Sequence, residues 1–67
     1  MDNLLYSGVW VSEGHVITFV INDNDTATIT ETYIANGKDV ETNQIAHIDK
    51  AIEYQQRYIK LGYDKIS

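Results

Sequence analysis

The chain has no cysteine and no proline, only four glycines, and five Lys plus Arg against ten Asp plus Glu. Without cysteine there is no disulfide framework, no thiolate zinc site and no thiol nucleophile. A formal net charge of -5 has the wrong sign for direct binding to nucleic acid or an anionic membrane. Both need clustered Lys and Arg to displace counterions from phosphates. No apolar run approaches the ~20 residues of a membrane span. The segment Met1-Asp2-Asn3-Leu4-Leu5-Tyr6 has no basic region and only a short apolar stretch, unlike a signal peptide, so a cytoplasmic protein is expected.

Enzymatic chemistry is equally short of parts. Ser7, Ser12 and Ser67 stand in no activating context, and Gly8, Gly14, Gly37 and Gly62 are too scattered to cradle a phosphate. Asn22-Asp23-Asn24-Asp25 opens like a calcium loop, but Ala27 and Thr28 stand where a ligand and the central glycine should follow, so it reads as a turn. His15 and His47 have no neighbours at metal-ligand spacing. No cofactor and no metal are expected, and an enzyme is disfavoured.

What remains is a small sequence with 43% hydrophobic and 22% charged residues, ordinary for a globular protein of 67 residues folding as a single domain. Its N-terminal half alternates apolar and polar residues and is rich in Thr, Val and Ile, which marks half-buried strands. Strands are predicted over about Leu4–Val11, His15–Ile21 and Asp25–Ala35. Asn36-Gly37 is the preferred pair for a two-residue type I′ hairpin, so Lys38–Glu41 should fold back as a short fourth strand with Val40 opposite Tyr33. From about Asn43 to Leu61 the periodicity becomes helical, with Ile45, Ile48, Ile52 and Ile59 on one face. Thr42 or Asn43 should cap its start, and Gly62 should end it in a left-handed C′ conformation. The expected fold is α+β: an antiparallel meander of three to four strands with one C-terminal helix packed on one face.

Loop length sets which side chains share a face. A three-residue loop Ser12-Glu13-Gly14 puts Val9 opposite Ile17 and assigns Leu5, Val9, Val11, Ile17, Phe19, Ile21, Ala27, Ile29 and Tyr33 to the helix side. The other face then carries Leu4, Tyr6, Trp10, Val16, Val20, Ile34 and a row of threonines, Thr26 to Thr32. A two-residue Glu13-Gly14 turn would instead set Trp10 opposite Ile17 and bury it. His15 should meet Glu31 as a cross-strand pair at one end of the sheet. Tyr54, Tyr58, His47 and Leu61 form a stripe beside the isoleucine face, closing the edge of the core or offering a second contact surface.

One helix covers one face, and an uncovered aromatic and aliphatic face is the mark of a protein interface. The expected function is therefore a non-enzymatic protein-binding module, a small regulator or inhibitor of the kind phages and mobile elements make. Its contact residues would be Tyr6, Trp10, Val16, Val20 and Tyr54. The partner would be another protein, with a homodimer through the same face also expected. A homo-oligomeric structural protein and an acidic nucleic-acid mimic are the alternatives.

Overall fold

The computed structural model describes residues 5–67, so Leu4, expected on the first strand, lies outside the described residues. Along the chain come β1 (Gly8–Ser12), β2 (His15–Ile21), β3 (Thr26–Ala35), β4 (Lys38–His47), α1 (Ile48–Lys60) and β5 (Asp64–Lys65). The strands form one antiparallel sheet in the order β4-β3-β2-β1-β5. This is the expected α+β meander with its C-terminal helix, extended by a short strand that returns to pair with β1. No helix among the described residues is long and apolar enough to cross a membrane.

The β1–β2 turn differs from the three-residue loop. Ser12 pairs with His15 and Trp10 with Ile17, across a two-residue turn in which Glu13 (φ 39°) and Gly14 (φ 83°) are both left-handed. A left-handed conformation costs a non-glycine residue about 1–2 kcal/mol. The one-residue change in loop length exchanges the faces of β1, so Val9 and Val11 turn outward and Trp10 turns in. Trp10 is only 3% exposed. An indole buries about 150–250 Å², worth about 4–6 kcal/mol at 25 cal/mol per Å². Burial of the larger side chain outweighs the strained turn.

The β2–β3 connection, by contrast, is longer than expected, with Ile21 opposite Ala27 and Phe19 opposite Ile29. That is a slip of two residues, which preserves the faces of both strands. The β3–β4 hairpin turns at Asn36-Gly37 with both residues at positive φ, and Val40 does face Tyr33. Here the fourth strand is longer than predicted. It runs to His47 and pairs with β3 without interruption back to Thr26. Ile45 is therefore a strand residue facing outward, and it is 70% exposed. The backbone groups of β3 need partners along its whole length, and residues 42–47 satisfy them only as a strand.

Helix α1 starts after His47, whose Nδ1 accepts from the Asp49 amide at 3.2 Å. It ends in a Schellman motif. The amides of Gly62 and Tyr63 donate to the carbonyls of Ile59 and Tyr58, with Gly62 at φ 96°. The face it buries is centred on Ala51 and Gln55, flanked by Ile48, Tyr54 and Tyr58, and Ile59 is left largely exposed. Under it lie Trp10, Ile17, Phe19, Ala27 and Ile29, with the Trp10 and Phe19 rings edge to face at 5.6 Å.

Both ends of the described chain are tied to this core. Gln55 accepts from the Tyr6 amide at 3.0 Å and donates to the Tyr6 carbonyl at 2.8 Å, as a neighbouring strand would. At the other end, Val9 exchanges backbone bonds with Ile66 and Ser67, and Lys65 Nζ lies 5.6 Å from the Trp10 ring centroid. The close approach requires a glycine at position 8, because a Cβ there would stand 2.4 Å from the Ser67 carbonyl oxygen. Gly8→Ala is expected to cost about 1–3 kcal/mol by overpacking and to release the C-terminal strand. Hydrogen exchange should then show the Ile66 amide unprotected while the β3–β4 amides keep their protection. Unchanged protection at Ile66 would contradict the tie.

Candidate functional site

The register places five rows of side chains on the sheet face opposite α1, beginning with Thr26 and His47. Val20, Thr28 and Ile45 form the second row, and Val9, Thr18, Thr30 and Asn43 the third, with Ile66 beside Val9. Asp64, Val11, Val16, Thr32 and Glu41 form the fourth, and Ile34 with Asp39 the last. The β1–β2 side of this face is aliphatic apart from Thr18, and the β3–β4 side carries the other threonines and their partners together with the exposed Ile34 and Ile45. Asn22 bridges the hydroxyls of Thr26 and Thr28, and Thr30 donates to Asn43 Oδ1 at 2.7 Å. These bonds hold the polar side chains flat along the sheet. Val20 is 49% exposed and Ile66 62% exposed, so the aliphatic half meets solvent.

Of the five contact residues expected from sequence, this face holds two, Val16 and Val20. Trp10 is in the core, because of the two-residue turn. Tyr54 packs against the same core from the helix side. Tyr6 is exposed but precedes β1, with its backbone clamped by Gln55. The face is thus aliphatic rather than aromatic. Val9, Val11, Ile45 and Ile66 were missed as residues of this face, the first two half-buried and the last two exposed. The first two follow from Trp10, since its immediate neighbours in a strand must point the other way.

The second concentration of chemistry lies at one end of the helix side, around His15. Its Nε2 is 2.9 Å from Glu31 Oε1 and its Nδ1 2.5 Å from the Tyr63 hydroxyl. An ionised carboxylate only accepts, so Nε2 carries the hydrogen, and in the neutral ring Nδ1 accepts from the phenol. The rings of Tyr33, Tyr58 and Tyr63 stand edge to face around the imidazole at 5.5–6.2 Å. His15 does meet Glu31, but diagonally, since the two-residue slip sets Glu31 opposite Ile17, and the contact is part of a clasp joining β2, β3, α1 and the segment after it. Tyr63 is 48 positions from His15, a separation no local pattern spans.

Comparison with known families, characterised proteins and solved structures finds no significant match.

Glu31, His15 and Tyr63 line up as a carboxylate, an imidazole and a hydroxyl, an order able to polarise the phenol. A surface depression along Ile52, Glu53 and Arg57 of α1 and Leu61 just after it shares no residue with the clasp. Among the described residues no group of three or more His, Asp or Glu converges to hold a metal ion. Every buried side-chain polar atom among those residues has a partner. The clasp is best accounted for as a saturated network fastening the helix end to the sheet.

Burial first, and the Glu31 carboxylate next, push the Tyr58 hydroxyl above the usual phenol range. A raised folded-state value means that stability from neutral Tyr58 is complete below about pH 10 and is lost as pH rises through the folded value. Ultraviolet titration should therefore show one phenol ionising late. Glu31→Gln should lower that midpoint without returning it to the ordinary value, since desolvation persists. A midpoint unmoved by the substitution would separate Tyr58 from Glu31.

Proposed function

We infer that this chain is a non-enzymatic protein-binding module, a small regulator or inhibitor, and that its contact surface is the uncovered sheet face. One observation carries the reading: Val9, Val11, Val16, Val20 and Ile66 lie together on a face that α1 leaves bare. Val9, Val11 and Val16 are half-buried while Val20 and Ile66 are exposed, and neighbouring aliphatic side chains open to solvent mark interfaces in soluble domains. The charged residues sharing the face, Asp39, Glu41 and Asp64, are all acidic and sit at its margins. A partner with an apolar centre and a basic rim complements it, which favours another protein over a second copy at this face.

The test is capture from a lysate of the cell that makes the protein, comparing wild type with Val20→Asp and Ile66→Asp. Both positions are well exposed, so the melting temperature should stay within a few degrees of wild type. Capture should fall at least about tenfold, as for interface hot spots. Lys60→Glu, on the outer side of α1, should leave it unchanged. Equal capture by wild type and both face variants would overturn the reading.

A further inference from the structure

The sheet has two unlike edges. β5 closes one with two residues, whereas β4 forms the other with ten. β4 pairs with β3 at every position from Lys38 to His47, without a bulge. The chain contains no proline to block it, and lysine occurs on it only at Lys38, by the hairpin tip. Natural sheets guard long edges with such devices, because unpaired amides and carbonyls template another strand. Here the bulge, the proline and the mid-strand lysine are missing, and the charges, Lys38, Asp39 and Glu41, are confined to the half of β4 next to the hairpin.

The tight Asn36-Gly37 turn makes Ala35 and Lys38 a hydrogen-bonded pair. By the alternation of an antiparallel ladder, Asp39, Glu41, Asn43 and Ile45 then point their backbone N–H and C=O outward. Among the described residues none of these groups takes part in a further backbone bond.

We propose that β4 is the dimerisation strand of this protein, pairing antiparallel with β4 of a second copy about a two-fold axis at Asn43. Charge selects the register. Two alignments overlap the strand almost fully, one centred on Thr42 and one on Asn43. Only the second sets each Asp39 carboxylate opposite a His47 imidazole, while Glu41 meets Ile45. Centring on Glu41 would place two carboxylates face to face. The unlike edges also close the assembly: once two β4 strands have joined, the edges left among the described residues are the two-residue β5 strands, so a dimer forms rather than a fibre. The axis stands normal to the sheet, so both uncovered faces lie on the same side of a continuous sheet. The contact lies along an edge and is independent of whether that face binds a partner.

Sedimentation velocity on the full chain from one to a few hundred micromolar tests the proposal. Wild type is expected to be dimeric by tens of micromolar. Asn43→Pro removes an outward N–H without touching the β3 ladder, where an edge strand tolerates proline. It should be monomeric throughout that range with a wild-type circular dichroism spectrum. His47→Asp keeps a side chain able to cap α1 but sets carboxylate against carboxylate. It should weaken the dimer about threefold to tenfold, and adding Asp39→Lys should restore it. If Asn43→Pro fails to fold, this charge-exchange pair alone decides. A monomeric wild type would overturn the proposal, as would an undiminished dimer in Asn43→Pro or a charge exchange that fails to restore association.

Discussion

Trp10→Ala is expected to abolish cooperative unfolding, leaving a chain that is largely unfolded at room temperature. Trp10 is 3% exposed, packs edge to face on Phe19 and has Lys65 Nζ over its ring. Truncating a buried tryptophan to alanine costs about 3–5 kcal/mol, from lost transfer energy and the cavity left behind. Native domains hold about 0.05–0.15 kcal/mol per residue, which for this chain is about 3–10 kcal/mol in all. There is no disulfide, and the core beneath the helix consists of few large side chains. One such deletion therefore consumes most of the available stability. Urea titration followed by far-ultraviolet circular dichroism gives the result directly. A sigmoidal transition with a wild-type midpoint would place Trp10 outside the core and restore the three-residue loop.

Gln55→Glu is expected to be the most pH-sensitive substitution. The Gln55 amide is fully buried, with Oε1 accepting from the Tyr6 N–H and Nε2 donating to the Tyr6 carbonyl. A carboxylate can replace the first bond, but it sets a charged oxygen against the Tyr6 carbonyl where a donor stood. Burial and that repulsion both favour the neutral acid, so the introduced group's pKa lies above its unfolded value of about 4.3. The protonated acid can donate to the carbonyl and nearly reproduces the glutamine. Stability of the variant relative to wild type is thus preserved below about pH 4 and lost as pH rises through the folded value. At pH 7 the loss should reach about 2–4 kcal/mol. Gln55→Leu, which removes both bonds without adding charge, should lose about the same at both pH values. Denaturant midpoints for the three proteins at pH 4 and pH 7 give the comparison. An equal deficit for Gln55→Glu at the two pH values would show that the side chain is hydrated.

Much of the architecture was legible because the signals were local. Alternation marked β2 and β3, Asn36-Gly37 marked the β3–β4 hairpin, and Gly62 marked the end of α1. A two-residue error at the β2–β3 loop did no harm, since the side-chain period of a strand is two. The one-residue error at Glu13-Gly14 moved Trp10 from surface to core and changed the candidate site from aromatic to aliphatic. Glutamate is not a residue that local chemistry assigns to a left-handed turn. It sits there because the tertiary core requires Trp10 inward.

The same distinction runs through the rest of the molecule. From sequence alone follow the α+β class, the strand-then-helix order, the faces of β2 and β3, and a sheet with more apolar surface than one helix covers. These depend on periodicity and turn chemistry within a few residues. Only the tertiary structure decided where β4 gives way to α1, because Asn43 to His47 suits either state until β3 needs its ladder completed. Only the tertiary structure placed Gln55 on the Tyr6 backbone, Tyr63 on His15 and the C-terminal residues on β1. Each of those contacts joins segments far apart in the chain, and their free energy comes from burial and hydrogen bonding that exist only once the sheet has formed.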